Sequence, residues 1–111
     1  MARAVAVMQG TLDLLILKAL SVEPMHGWAI ASRIKRMSRS TFAIGQGSLY
    51  PALHRYELRG WVTSYWRTTK HKRIARYYTL TQAGREALGA ETERWRVYAG
   101  AMNLVVGGGG R

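Results

Sequence analysis

Between positions 55 and 76 the chain carries Arg55, Arg59, Arg67, Lys70, Lys72, Arg73 and Arg76 against a single acid, Glu57. The chemistry open to such a run is neutralisation of phosphate, since each cation that displaces a counterion condensed on a nucleic acid gains free energy by releasing it. A run of like charge is more often a solvated face than a binding site, but here opposite charges are nearly absent from it. Immediately upstream, Ser48, Tyr50 and His54 offer the groups that reach groove edges, and Arg55 suits either a guanine or a phosphate. Two other chemistries fail on residue type. His26, His54 and His71 lack ligand spacing and there is no cysteine to help them, so no metal site is expected. No catalytic nucleophile, paired carboxylates or phosphate-cradling loop is present and the 6 acids are scattered, so the chain reads as a non-enzyme without a cofactor.

These groups must be held by a helix and a hairpin. Gly47 and Ser48 mark a helix start with Pro51 in its first turn, where a missing N–H leaves nothing unpaired. Leu49, Ala52, Leu53 and Tyr56 recur at helical spacing as a buried face, which turns Ser48, Tyr50, His54 and Arg55 outward. Arg59 and Gly60 end this helix. Strands follow over roughly 62–68 and 73–80, joined by Thr69, Lys70, His71 and Lys72. Upstream, Thr11 caps an apolar helix reaching about Ser21, and Glu23-Pro24 breaks it. A second helix over about 27–38 is expected to bury Trp28, Ile30, Ala31, Ile34 and Met37, and Thr41 to Ile44 form a β-prone link. Thr81 caps a long last helix reaching about Val105. Along it Leu88, Trp95 and Met102 recur every seventh residue, with Tyr98 and Val105 between, which is the seam of a coiled-coil-like pairing. A domain this small has nowhere of its own to bury that seam, so a second copy of the chain is the expected partner.

The stretch GSLYPALHRYELRGW resembles the recognition-helix signature of the PadR family of bacterial transcriptional regulators, usually close to GTLYPALHRLEERGL. Met25-His26-Gly27-Trp28-Ala29-Ile30 is similar to the family's MHGYEI, and the residues from Gly10 to Leu17 resemble its opening helix. Arg76-Tyr77-Tyr78-Thr79-Leu80-Thr81 with Gly84 resembles its RYYRLT-xx-G junction, so that matches in order span about 10–88. Trp28 stands for the family's Tyr, Tyr56 and Leu58 replace a Leu and a polar residue, and the wing tip lacks its frequent glycine.

The resemblance implies a mainly α fold with a small β hairpin. That is a winged helix-turn-helix over residues 1–80 and a dimerisation helix over 81–106; the glycine run before Arg111 has no side chains to pack, so residues 107–111 are expected to be a disordered tail. It implies that Tyr50 and Pro51 press on the DNA backbone or a thymine methyl, and that Lys70, Lys72 and Arg73 belong to the wing. It also implies a homodimer in which the last helix of each protomer lies over the partner's first helix. In short members of the family an aromatic from this helix lines a cavity for aromatic effectors. Here Trp95 and Tyr98, with Met8 or Leu14, would fill that role, against the plainer reading that they only pack the seam.

Charge and composition bound the same question independently. The 111 residues hold 17 Lys and Arg against 6 Asp and Glu, a formal net charge of +11, which calls for a polyanionic partner or an acidic membrane surface. Hydrophobic residues at 48% exclude a disordered basic tail. The apolar stretch 12–20 is broken by Asp13 and Lys18, and Ala4 to Met8 is too short for a signal-peptide core, so a soluble cytoplasmic protein with no membrane partner is expected. The expected function is sequence-specific binding of a pseudo-palindromic duplex operator by a repressor. The alternative is an RNA- or ribosome-associated basic protein, which would need exposed aromatics for stacking where most aromatics here fall on faces expected to be buried.

Overall fold

The computed structural model describes residues 10–107. Met8 and the glycine-rich tail beyond Gly107, on which the effector cavity and the disordered end were expected, lie outside the described residues. Helix α1 (Leu12–Leu20) begins after Thr11, which takes the N-cap position with no side-chain cap hydrogen bond. Ile16, Leu17, Ala19 and Leu20 are buried, and Leu12 and Leu15 pack on the same core, so α1 is the axis around which the other elements gather.

A two-residue strand β1 (Met25–His26) follows, then helix α2 (Gly27–Met37) and helix α3 (Gln46–Leu58). The hairpin is β2 (Val62–Thr68) and β3 (Ile74–Leu80), paired antiparallel from Val62 opposite Leu80 to Thr68 opposite Ile74. β1 adds to the free edge of β3, Met25 opposite Tyr78 and His26 opposite Tyr77, giving a three-stranded sheet in the order β1-β3-β2. This third strand was not expected, because two residues are too few to show a period in the sequence. Helix α4 (Gln82–Val106) closes the chain, its first turn capped by the Thr81 hydroxyl, which accepts from the Gly84 amide at 3.0 Å.

Helix α2 departs from expectation on two residues. Ile30 and Ile34 are buried with Gly27, but Trp28 is 71% exposed and Met37 60%. The face through Gly27, Ile30 and Ile34 leaves Trp28 more than a quarter turn away from the core, and Met37 ends the helix at its rim. In α3 the helix starts two residues before Ser48, with Gly45 as N-cap, so Pro51 sits beyond the first turn and inside the helix. There it removes the amide that Gly47's carbonyl would otherwise receive.

Tyr56, on α3, is fully buried, and its hydroxyl donates to the Asp13 carboxylate on α1. Burial first, and the bond to Asp13 second, push this phenol far above its ordinary value, so it remains a donor wherever the protein is folded. The bond fastens the recognition-type helix to the central one with no buried side-chain polar atom left unpaired among the described residues.

Candidate nucleic-acid interface

Helix α3 turns Leu49, Ala52, Leu53 and Tyr56 inward, all at 1% exposure or less. Its outer face is a row through Gly47, Pro51, His54 and Leu58, flanked by Ser48 and Arg55 on one side and Tyr50 on the other; all are exposed. Thus Ser48, Tyr50, Pro51, His54 and Arg55 share one accessible side of one helix. Tyr50 is not a free ring. It lies against the start of α2, where a Cβ on Gly27 would come within 2.5 Å of its hydroxyl and 2.7 Å of its ring, so glycine at that position is what lets the ring settle.

Electrostatics divide six of the seven cations of the run into two groups, the seventh, Arg67, lying over the Tyr77 ring. Arg55 and Arg59 stand 3.9 Å and 3.8 Å from the Asp13 carboxylate, on α1, so an acid remote in sequence partly answers them. Arg76 is bound to Glu57 at 3.1 Å, and Ser64 completes a three-way link, donating to Glu57 at 2.7 Å and accepting from Arg76 at 2.7 Å. Glu57 therefore joins the end of α3 to the strands of the hairpin. Lys70, Lys72 and Arg73, at the tip, are exposed and engaged by no ion pair among the described residues. These three are the cations in the run best placed to trade counterions for phosphates.

The tip folds without glycine. Lys72 takes φ +61, the left-handed conformation that glycine usually supplies. The Thr69 hydroxyl accepts from the amides of His71 and Arg73, and the Thr69 amide donates to the Arg73 carbonyl at 2.7 Å, which holds the turn closed around it.

The outer face of the sheet carries aromatics that sequence reasoning had assigned mostly to buried faces. Tyr65 and Tyr77 stack with centroids 6.0 Å apart, His26 meets Tyr77 edge-on at 5.4 Å, and the Arg67 guanidinium lies 4.9 Å over Tyr77. On the opposite face, beyond the cover of α3, Trp66 is 67% exposed. The hairpin projects past the core, so its alternation no longer divides inside from outside.

The seam residues lie on α4. Leu88 packs on the chain's own core, whereas Trp95, Tyr98, Met102 and Val105 are exposed, and every residue from Ala101 to Gly107 is too. Trp95 and Tyr98 face each other at 5.8 Å and, with Gly10, Thr11, Leu14, Glu91 and Arg94, line a cleft of about 230 Å³ between α4 and the start of α1. No group of His, Cys, Asp or Glu that could hold a metal occurs among the described residues, and no helix among them is long and apolar enough to cross a membrane.

Comparison with known proteins places this arrangement. The model of the Transcriptional regulator PadR-like family matches residues 16–90. The structure of a transcriptional regulator from Clostridium thermocellum superposes with a TM-score of 0.79 at 26% identity, covering 88% of this chain and 95% of the other. A PadR family transcription regulator from Clostridium difficile superposes at 0.73 with 28% identity, covering 86% of this chain and 98% of the other. A protein in a transposon of Streptomyces fradiae is 41% identical over 79 residues, 71% of this chain, but the chain spans only 21% of that relative's length.

Proposed function

Because this chain belongs to the PadR-like family of transcriptional regulators, we propose that it is a cytoplasmic repressor that binds a pseudo-palindromic operator as a homodimer. The chain is a DNA-binding transcriptional regulator and not an enzyme. The observation that carries the finer reading is the exposed row of α3 beside a hairpin tip whose cations have no ion-pair partner among the described residues. Each α3 would enter the major groove of one half-site, with Ser48, Tyr50, Pro51, His54 and Arg55 facing it and the tips flanking. Leu88, Trp95, Tyr98, Met102 and Val105 would form the seam between protomers and set half-site spacing. The exposed aromatics remove one objection to an RNA-associated protein, but membership of a family of transcriptional regulators favours duplex DNA.

The test separates helix from wing. Tyr50→Ala should weaken operator binding roughly ten-fold while changing random-duplex binding little. Lys70→Ala with Lys72→Ala should weaken both and lower the slope of log affinity against log salt by about two, because phosphate contacts release counterions whatever the sequence. Titrations at several salt concentrations measure both quantities. A wing variant that keeps the wild-type slope removes the wing from the phosphates.

The cleft beside Trp95 and Tyr98 supports control by a planar aromatic effector. Its walls come from α1 and α4, so a bound ring that favours one α1–α4 arrangement would change the separation of the two α3 helices and lower operator affinity by that preference. Binding of phenolic and polycyclic ligands should quench tryptophan emission in the wild type and not in Trp95→Phe. Ligand affinity that survives Trp95→Ala unaltered leaves Trp95 as seam packing alone.

A further inference from the structure

Trp28 is the most exposed of the aromatic side chains that border a groove, and it borders two. On one side a groove of about 430 Å³ runs from the indole to Lys35, Gln46 and Tyr50, at the start of α3. On the other a groove of about 330 Å³ runs from it past His26 and Tyr77 to Arg36 and Lys70, at the hairpin tip. The indole is therefore the ridge between the recognition helix and the wing. It is held from behind by the His26 ring, stacked at 6.4 Å, which is itself fixed because its Nδ1 accepts the Ala29 amide as the cap of α2. An exposed tryptophan normally costs solubility without return; this one is backed by the His26 ring and left 71% exposed between the two grooves.

Charge says what would cover it. The grooves carry Lys35, Arg36 and Lys70, none in an ion pair among the described residues, and the one acid lining them, Glu23, is already bound to Arg33 at 3.5 Å. A polyanion is the complementary occupant. A duplex that touches both Tyr50 and Lys70 must also cross the ridge between them.

Resting on the reading of this chain as a duplex-binding protein, we propose that Trp28 is a DNA-backbone contact. Its indole would pack against a deoxyribose between the helix-bound and wing-bound segments of one strand, while Lys35, Arg36 and Lys70 meet the phosphates on either side. Large apolar area placed between cations suits a sugar-phosphate strand, whose sugars are apolar and whose phosphates recur at a short, regular interval. The indole N–H remains free to donate to a phosphate oxygen. Such a contact raises affinity for any duplex and carries no base information by itself.

The experiment uses a mixed-sequence duplex oligonucleotide, so no operator need be known. Wild type, Trp28→Ala, Trp28→Tyr and Arg36→Gln with Lys70→Gln are titrated at several salt concentrations, with tryptophan emission recorded. Trp28→Ala should lose roughly ten-fold in affinity, as removal of an aromatic contact to nucleic acid does, with its salt slope unchanged because no charge is lost. Trp28→Tyr should retain most of the affinity yet lose the duplex-induced quench of emission, and the cation double variant should lower the slope. Since Trp28 is 71% exposed, neither change threatens the fold. Trp28→Ala binding within about two-fold of wild type, or a quench that persists in Trp28→Tyr, overturns the proposal while leaving duplex binding intact. Tighter, Trp28-dependent binding of the corresponding single strand overturns it in favour of a stacking surface for unpaired bases. Absence of any duplex binding by the wild type overturns the DNA-binding reading itself, and this contact with it.

Discussion

A chain carrying Trp95→Glu together with Met102→Glu is expected to run as a monomer at micromolar concentration and to lose operator affinity by two orders of magnitude or more. Both side chains are about half exposed in the single chain, at 42% and 46%, so glutamate there costs the protomer's own fold little. At a protomer interface the same two carboxylates would be buried facing their symmetry mates, a loss of several kcal/mol each unless they protonate. Two half-sites gripped by one dimer gain affinity through effective concentration, by factors of about 10² to 10⁴, and that gain disappears with the seam. Light scattering reads the oligomeric state, and titration with operator and random duplex reads the affinity. A double variant that stays dimeric would place the interface elsewhere than on Leu88, Trp95, Tyr98, Met102 and Val105.

The second large effect concerns a residue that touches no partner. Gly84→Ala should destabilise the chain by roughly 2–4 kcal/mol, although alanine is the better helix former by about 1 kcal/mol. A Cβ on Gly84 would be driven into the carbonyl oxygen of Trp61 and would stand 3.1 Å from Leu80. That carbonyl accepts the Thr81 amide at 3.0 Å, and Thr81 both caps α4 and donates through its hydroxyl to Gly60 at 2.6 Å. Backbone cannot turn aside as a side chain can, so relief means moving the junction at which α3, β2 and α4 meet. With total stabilities of about 5–15 kcal/mol for domains of this size, the melting temperature should fall by roughly ten degrees or more. Thermal unfolding followed by circular dichroism measures it, and a variant as stable as wild type would show that the junction yields.

Gly84 also illustrates what could be read in advance. Its place in a family-like junction was visible, but the contact with Trp61 that requires glycine depends on a distant stretch of chain. The buried face of α3 was legible because Leu49, Ala52, Leu53 and Tyr56 repeat at the helical period and the core answers that period directly. The hairpin was legible because the run from Val62 to Arg67 is β-prone and a polar link follows it, and the strands pair unbroken from Val62 to Thr68. Trp28 and Met37 were misplaced for a physical reason. Apolar character identifies residues that gain by burial but not whether the fold has surface left to cover them, and α2 had already filled its contact with Ile30 and Ile34. The charge run was half legible. Its composition was plain, yet Asp13 reaches Arg55 and Arg59 only once α1 lies beside α3, and no local count of acids around position 57 could include it. The strand β1 left no signal, since its two residues pair by virtue of position along β3 rather than by type.

The link from Glu57 through Ser64 to Arg76 has a mechanical consequence. It triangulates the end of α3 against both strands of the hairpin, so side chains from three elements brace the angle between helix and wing. In the proposed dimer, the freedom left to a pair of such units would be the distance and twist between them. Control of the proposed operator would then resemble adjusting the span of a pair of callipers, whose tips keep their shape while the hinge decides what they fit.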